Sequence, residues 1–236
     1  MNENSDSSIT CVIGNNKYRN YLVYNIVYRY VKKEKIKFGA VIGNPYPYYE
    51  YITDNIYIKY DESIMENYLK NIQCIYEKSN GKIDRNILIV DSNTIDFNSK
   101  SWKYILENYR MYKMNIIIIL DKILEINIDI LKEYVNMIYI VKQIINEYEH
   151  LDKIYQLFCK EKYDKETFIC TYIKCTDIIL DTMLIHLNTN DKYLGNSIFK
   201  YKIDITLPKM VFNTYKMYEQ NKIYKQRCIL SDIINV

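Results

Sequence analysis

The chain has 236 residues, 49% hydrophobic and 26% charged, a length and balance that suit one globular domain with a full core and exclude a disordered chain. The formal net charge is +3 and the lysines and arginines are scattered, which is too weak to argue for nucleic acid. The 27 tyrosines accompany an Ile-, Asn- and Lys-rich composition of the kind AT-rich coding produces, so they are not read as base-stacking platforms.

The polar start, "MNENSDSSIT", has no signal-peptide apolar core. Residues 1–8 are expected to be a disordered tail. The run "ITCVI" (9–13) reads as a buried strand and ends in Gly14. A polar stretch follows, and then a helix. This is the outline of a phosphate-binding loop, in which glycines let backbone N–H groups wrap phosphates, a lysine neutralises them and a hydroxyl binds Mg²⁺. Counted from Gly14, the second glycine falls on Arg19, the lysine on Asn20 and the Ser/Thr on Tyr21. Lys17 and Arg19 supply charge, but an arginine at the glycine position is expected to disturb the loop and leave it empty or collapsed.

Further apolar runs read as strands at 36–43, 87–91, 114–120, 136–142 and 182–187. Helix-length segments lie between them at 61–78, 100–112, 146–160 and 164–176. The first places Ile64, Tyr68, Ile72 and Ile75 on one face, with Asp61 as its N-cap. Trp102 reads as a packing residue, His150 as a surface histidine and His186 as a strand histidine. Asp129, Asp152 and Asp164 fit helix starts or solvated faces. The cluster Lys32, Lys33, Lys35 and Lys37 reads as a solvated helix end. Apolar strands alternating with helices indicate a mostly parallel sheet sandwiched by helices. The segment 207–228 looks like a terminal helix outside that alternation.

The six cysteines (Cys11, Cys74, Cys159, Cys170, Cys175, Cys228) fall at no metal-ligand spacing and read as free thiols in a reducing compartment. "MNIIIILDKIL" is too short an apolar run for a membrane span, so a soluble, intracellular protein is expected.

In "ILIVDSNTID" four apolar residues end in Asp91, the pattern of a strand-end acid that holds a Mg²⁺ water shell. The next residue, Ser92, cannot act as a general base. Taken together, the order and spacing of the segments resemble the DNA-packaging ATPases of poxviruses and giant viruses, in the FtsK–HerA branch of P-loop ATPases. The likeness runs through "AVIGNPYPYYEYITDNIYIKYDE", "LIVDSNTID" with Asp91 and Asp96, and "NYRMYKMNIIIILD" with Asn108, Arg110 and Lys113. It continues through "LKEYVNMIYIVKQ" and through the segments 146–168, 175–188 and 198–204. The resemblance implies an α/β P-loop NTPase-like core at 9–204 and a C-terminal helical extension at 205–236. It also implies that β-strand 9–13 lies between the strands at 87–91 and 114–120.

The chain departs from that family at Arg19, Asn20, Tyr21 and Ser92, at Asp121 where a sensor glutamine belongs, and at Lys132 where an arginine belongs. The resemblance therefore implies a degenerate, catalytically inactive homologue with a structural or regulatory role in viral genome encapsidation. Asp91, with Gly14, is the remnant of the phosphate and metal set, and no metal, nucleotide or other cofactor is expected. If the site works, ATP and Mg²⁺ are implied, with Asp91 on the metal and Lys17 or Arg19 in place of the loop lysine. The alternatives are thus an active but atypical Mg-ATP-driven packaging motor and a plain protein-interaction domain. The implied partners are a viral packaging ATPase, capsid components, double-stranded DNA or further copies of the chain, with no membrane. The implied location is the host cytoplasm, the viral factory or the virion.

Overall fold

The computed structural model describes residues 7–15, 17–34, 36, 38–43, 56–57, 59–121, 123–125, 127–142, 147–187 and 197–207. Eight strands form one sheet: β1 Ile9–Ile13, β2 Phe38–Gly43, β3 Ile56–Tyr57, β4 Asn86–Asp91, β5 Met114–Leu120, β6 Met137–Val141, β7 Asp181–His186 and β8 Ser197–Lys202. Their spatial order is β3-β2-β4-β5-β1-β6-β7-β8. The first six strands pair in parallel, and β7 and β8 add an antiparallel edge. The architecture is the expected α/β one, with a mostly parallel sheet between helices.

The strand order corrects one expectation. β1 does not lie between β4 and β5. It lies between β5 and β6, and β4 pairs directly with β5. All five β1 residues and all seven β5 residues are buried, as strands flanked on both sides must be. Polar contacts at the start of the strands fix this order. Asn86 Nδ2 donates to the Tyr112 carbonyl, ahead of β5, at 2.8 Å. Asn136 Oδ1, ahead of β6, accepts from the Ile9 N–H at 2.8 Å.

One face of the sheet is covered by four helices, α2 Glu62–Lys78, α3 Lys100–Asn108, α4 Glu147–Ile154 and α5 Lys165–Cys175. α4 runs on as a wider π-type stretch over Tyr155–Cys159. Asp61 caps α2 by accepting from the Ser63 N–H, and Asp164 caps α5 by accepting from the Thr167 N–H. On α2 the buried stripe is Met65, Tyr68, Leu69 and Ile72, with Ile64 and Ile75 at its margin. Trp102 is fully buried, as expected, edge-on to Phe97 and donating its indole N–H to Tyr60 Oη at 2.9 Å.

The other face is covered by α1, Arg19–Glu34, whose Leu22, Val23, Ile26 and Val27 meet the inward residues of the central strands. Tyr30 Oη pairs with Ser8 Oγ at 2.8 Å and Thr10 Oγ1 at 3.0 Å, which ties the far end of α1 to the start of β1. Residue 8 of the expected tail is therefore held; residues 1–6 lie outside the described residues. Buried Asn25 clamps the chain after β8 with both amide groups: Nδ2 donates to the Asp204 carbonyl at 2.7 Å and Oδ1 accepts from the Asp204 N–H at 2.8 Å. This clamp gives the segment 198–204 a structural reason for its place in the pattern, with Tyr201 edge-on to Tyr139 and under Arg29. The terminal helix expected at 207–228 lies outside the described residues from 208 onward, as do Lys35 and Lys37 of the basic cluster.

His150 corrects a second expectation, since it is buried on α4 rather than on the surface. The helix is apolar on that face, and the imidazole is carried in with Leu151 and Ile154. His186 does end a strand and is exposed.

Among the described residues Cys11, Cys74, Cys159, Cys170 and Cys175 are free thiols. Burial pushes Cys11 and Cys159 up to about 12. Thiolate is the reactive form, so both should resist alkylation in the native protein at pH ~8 while exposed Cys170 reacts, with all becoming reactive in denaturant. Mass-spectrometric mapping of iodoacetamide adducts checks this, and native-state labelling of Cys11 as fast as Cys170 would contradict the placement of β1 in the core.

Candidate functional site

The alternation of side chains along each strand decides what meets at the carboxyl ends. In β4, Ile87 and Ile89 face α1, so Asp91, two residues on, points to the same side. In β5, Ile117 and Ile119 face α1, and Asp121 continues that parity just past the strand. Asp91 stands level with Ile119 in the β4–β5 ladder, so the two carboxylates lie one above the other on the α1 side. α1 begins with Arg19 immediately above them.

The three side chains meet. Arg19 Nη2 lies 3.4 Å from Asp91 Oδ2, and Arg19 Nη1 is ion-paired with Asp121 Oδ1. Side-chain exposure is 2% for Arg19, 2% for Asp91 and 16% for Asp121, so this is an interior ion triad and not a surface pair. Where an empty or collapsed loop is expected, the Arg19 side chain lies against the two strand-end acids. The planar guanidinium can donate to two carboxylates at once.

The backbone is shaped to allow this. Gly14 leaves β1 at φ +116°, and its N–H donates to the Leu120 carbonyl at 2.9 Å, fastening the turn to the end of β5. Asn93 Oδ1 accepts from the Asp121 N–H at 3.0 Å and so holds the loop after β4 against the loop after β5. Gly43 ends β2 beside Asp91 at φ +126°, and a Cβ there would run into the Asp91 carbonyl oxygen. Neither Asn93 nor Gly43 was singled out from the sequence. The signal was present in both, an amide two residues past the strand-end acid and a glycine closing the neighbouring strand.

The remaining positions scatter. Lys17 is exposed, with its ammonium 5.0 Å from the Tyr18 ring centre. Asn20 is buried, and Tyr21 packs at the edge of the α1 core. Ser92 Oγ accepts from the Thr94 N–H at 3.1 Å and closes a turn. Lys132 pairs with exposed Glu161. Arg110 lies over Tyr109 in the turn leading into β5, at the opposite end of the sheet from Asp91.

The residues present do not fit a magnesium nucleotide. Where a phosphate-binding loop would offer glycine N–H groups and a lysine, a guanidinium points inward, and where a metal would meet Asp91, that guanidinium already answers the charge. Asp121 adds a second negative charge beside Asp91, which would repel phosphate oxygens.

The mostly parallel sheet and the helices on its two faces form a P-loop NTPase-like fold. Among solved structures, the chain is similar to the genome packaging NTPase B204 from Sulfolobus turreted icosahedral virus 2. The form in complex with AMPPCP matches with a TM-score of 0.60 and 12% identity, over 86% of this chain and 100% of that one. The complex with ATP-gammaS matches with a TM-score of 0.59 and 13% identity, over 83% and 97%. EssC (ATPases 2 and 3) from Geobacillus thermodenitrificans matches with a TM-score of 0.52 and 10% identity, over 94% of this chain and 44% of that one. No family model and no curated protein sequence matches the chain.

Removing one member of a buried ion cluster leaves charge uncompensated and costs about 3–5 kcal/mol, whereas changes at exposed lysines stay within about 0.5 kcal/mol. Urea unfolding should therefore show Arg19→Met, which leaves Asp91 and Asp121 without their cation, destabilised by about 3 kcal/mol and Lys17→Ala unchanged. Equal, small effects from both would mean that the triad contributes nothing to stability. Gly43→Ala, which combines a left-handed backbone with the clash against Asp91, should cost about 2–4 kcal/mol in the same measurement.

Proposed function

We propose that the chain is a non-hydrolysing relative of viral genome-packaging ATPases that keeps the α/β scaffold and serves a structural or regulatory role in encapsidation. The observation that carries the reading is the Arg19–Asp91–Asp121 triad, which occupies the strand-end position with protein groups. Phosphoryl transfer rests on positioned positive charge and metal around the transferred group. An arginine whose charge is consumed by two carboxylates has none left for phosphate oxygens. Ser92, bonded to Thr94, offers no base for a water nucleophile. The likeness in fold to packaging NTPase B204 supports the setting.

In this reading the scaffold works through contact. Its partners are an active packaging ATPase, capsid components or duplex DNA, met in the cytoplasm or factory of an infected cell and in the virion. An active Mg-ATP motor would require Lys17 to turn inward and Arg19 to leave both acids, against the cost of two buried unanswered carboxylates.

Calorimetric titration of the full chain with ATP and with ADP, each with Mg²⁺, tests the reading alongside thermal melting. The expected outcome is no heat and no nucleotide-dependent shift in Tm, since a ligand that binds the native state at 100 times its Kd would stabilise it by about 2.7 kcal/mol. Micromolar binding that is lost on Asp91→Ala would overturn it. Copurification with the packaging ATPase of the same virus is the expected companion result.

A further inference from the structure

The guanidinium does more than block a pocket. Two carboxylates are brought together by strand parity, Asp91 from β4 and Asp121 from the end of β5, and one is almost fully buried. Such a pair is costly in a low-dielectric interior unless a cation lies between its members or one member takes up a proton. In this chain the cation is covalently supplied, as the first residue of α1. The helix start adds its own partial positive charge at the same point. Protein hydrogen bonds fasten the neighbouring loops, from the Asp121 N–H to Asn93 Oδ1 and from the Gly14 N–H to the Leu120 carbonyl.

We infer that Arg19 is a built-in replacement for a bound divalent cation, so that the site is held closed without any ligand and Asp91 and Asp121 become a cation seat once Arg19 is removed. The inference deepens the non-hydrolysing reading of the same site and rests on it. It identifies the chemical class the latent seat would take, a hard divalent ion with oxygen ligands, because the donors are carboxylate oxygens.

The test uses the full chain and Mn²⁺ as the probe, read by loss of the free-ion paramagnetic resonance signal and by melting temperature. Wild type should leave the Mn²⁺ signal undiminished and melt at the same temperature with or without the ion. Arg19→Gly should melt about 10 °C lower, bind Mn²⁺ and regain much of that loss on binding it. The double variant Arg19→Gly/Asp91→Asn should lose Mn²⁺ binding. A folded Arg19→Gly chain that ignores Mn²⁺, or a wild type that binds it through Asp91, overturns the inference.

Should Arg19→Gly fail to fold, Arg19→Met fills the same space without charge. It should melt well below wild type, while Arg19→Met/Asp91→Asn/Asp121→Asn, which removes all three charges, should recover most of the difference. An Arg19→Met chain as stable as wild type overturns the inference, because the two acids would then need no cation. Mg-ATP binding by wild type would defeat the non-hydrolysing reading itself. An ATP-inert wild type with a Mn²⁺-silent Arg19→Gly defeats the inference alone.

Discussion

A charged side chain that leaves water must have its charge answered, and Arg19 is answered by two acids that come from two different strands. The triad therefore ties the turn after β1, the end of β4 and the loop after β5 into one unit. These are the places where an open parallel sheet of this kind presents its ligand site. An ion cluster at that position adds little to stability relative to an apolar one of the same shape, but breaking it is expensive. Its consequence is specificity: one arrangement of three loops is favoured, and departures from it strand a buried charge.

The geometry behind the triad follows from alternation. Asp91 and Asp121 face α1 because they share parity with the isoleucines that pack beneath that helix. A one-residue slip of β4 or β5 would turn an acid into the other core layer and an isoleucine toward Arg19. The apolar cores thus set the register, and the register places the charges. Gly43 belongs to the same arrangement, since only a residue without Cβ lets β2 close against the Asp91 backbone.

Much of this was legible in the sequence. Two strands matched their runs to the residue, 9–13 and 114–120, because each is a short stretch rich in β-branched residues. Asp61 and Asp164 announced their helices as capping acids do. Strand order was not legible, because β1 can pair with either neighbour of equal apolarity. What decides it are long-range contacts such as Asn136 to Ile9 and Asn86 to Tyr112. The buried state of His150 was hidden for a related reason, as a single polar residue on an amphipathic turn does not reveal how far the turn is covered.

The site shows the limit of reading positions one at a time. Arg19 alone suggested a disrupted loop, Asp91 a remnant acid and Asp121 a repulsive substitution. Each is unfavourable for a nucleotide, and yet the opposite charges of Arg19 and Asp121 are mutually compensating, which is visible only when the two positions are known to be neighbours. Random loss of a nucleotide site would leave unmatched charges in a buried cleft, which folding penalises. A matched replacement satisfies the same electrostatic demand from within the chain. The triad closes the ends of β1, β4 and β5 on one another with charges that the chain itself carries.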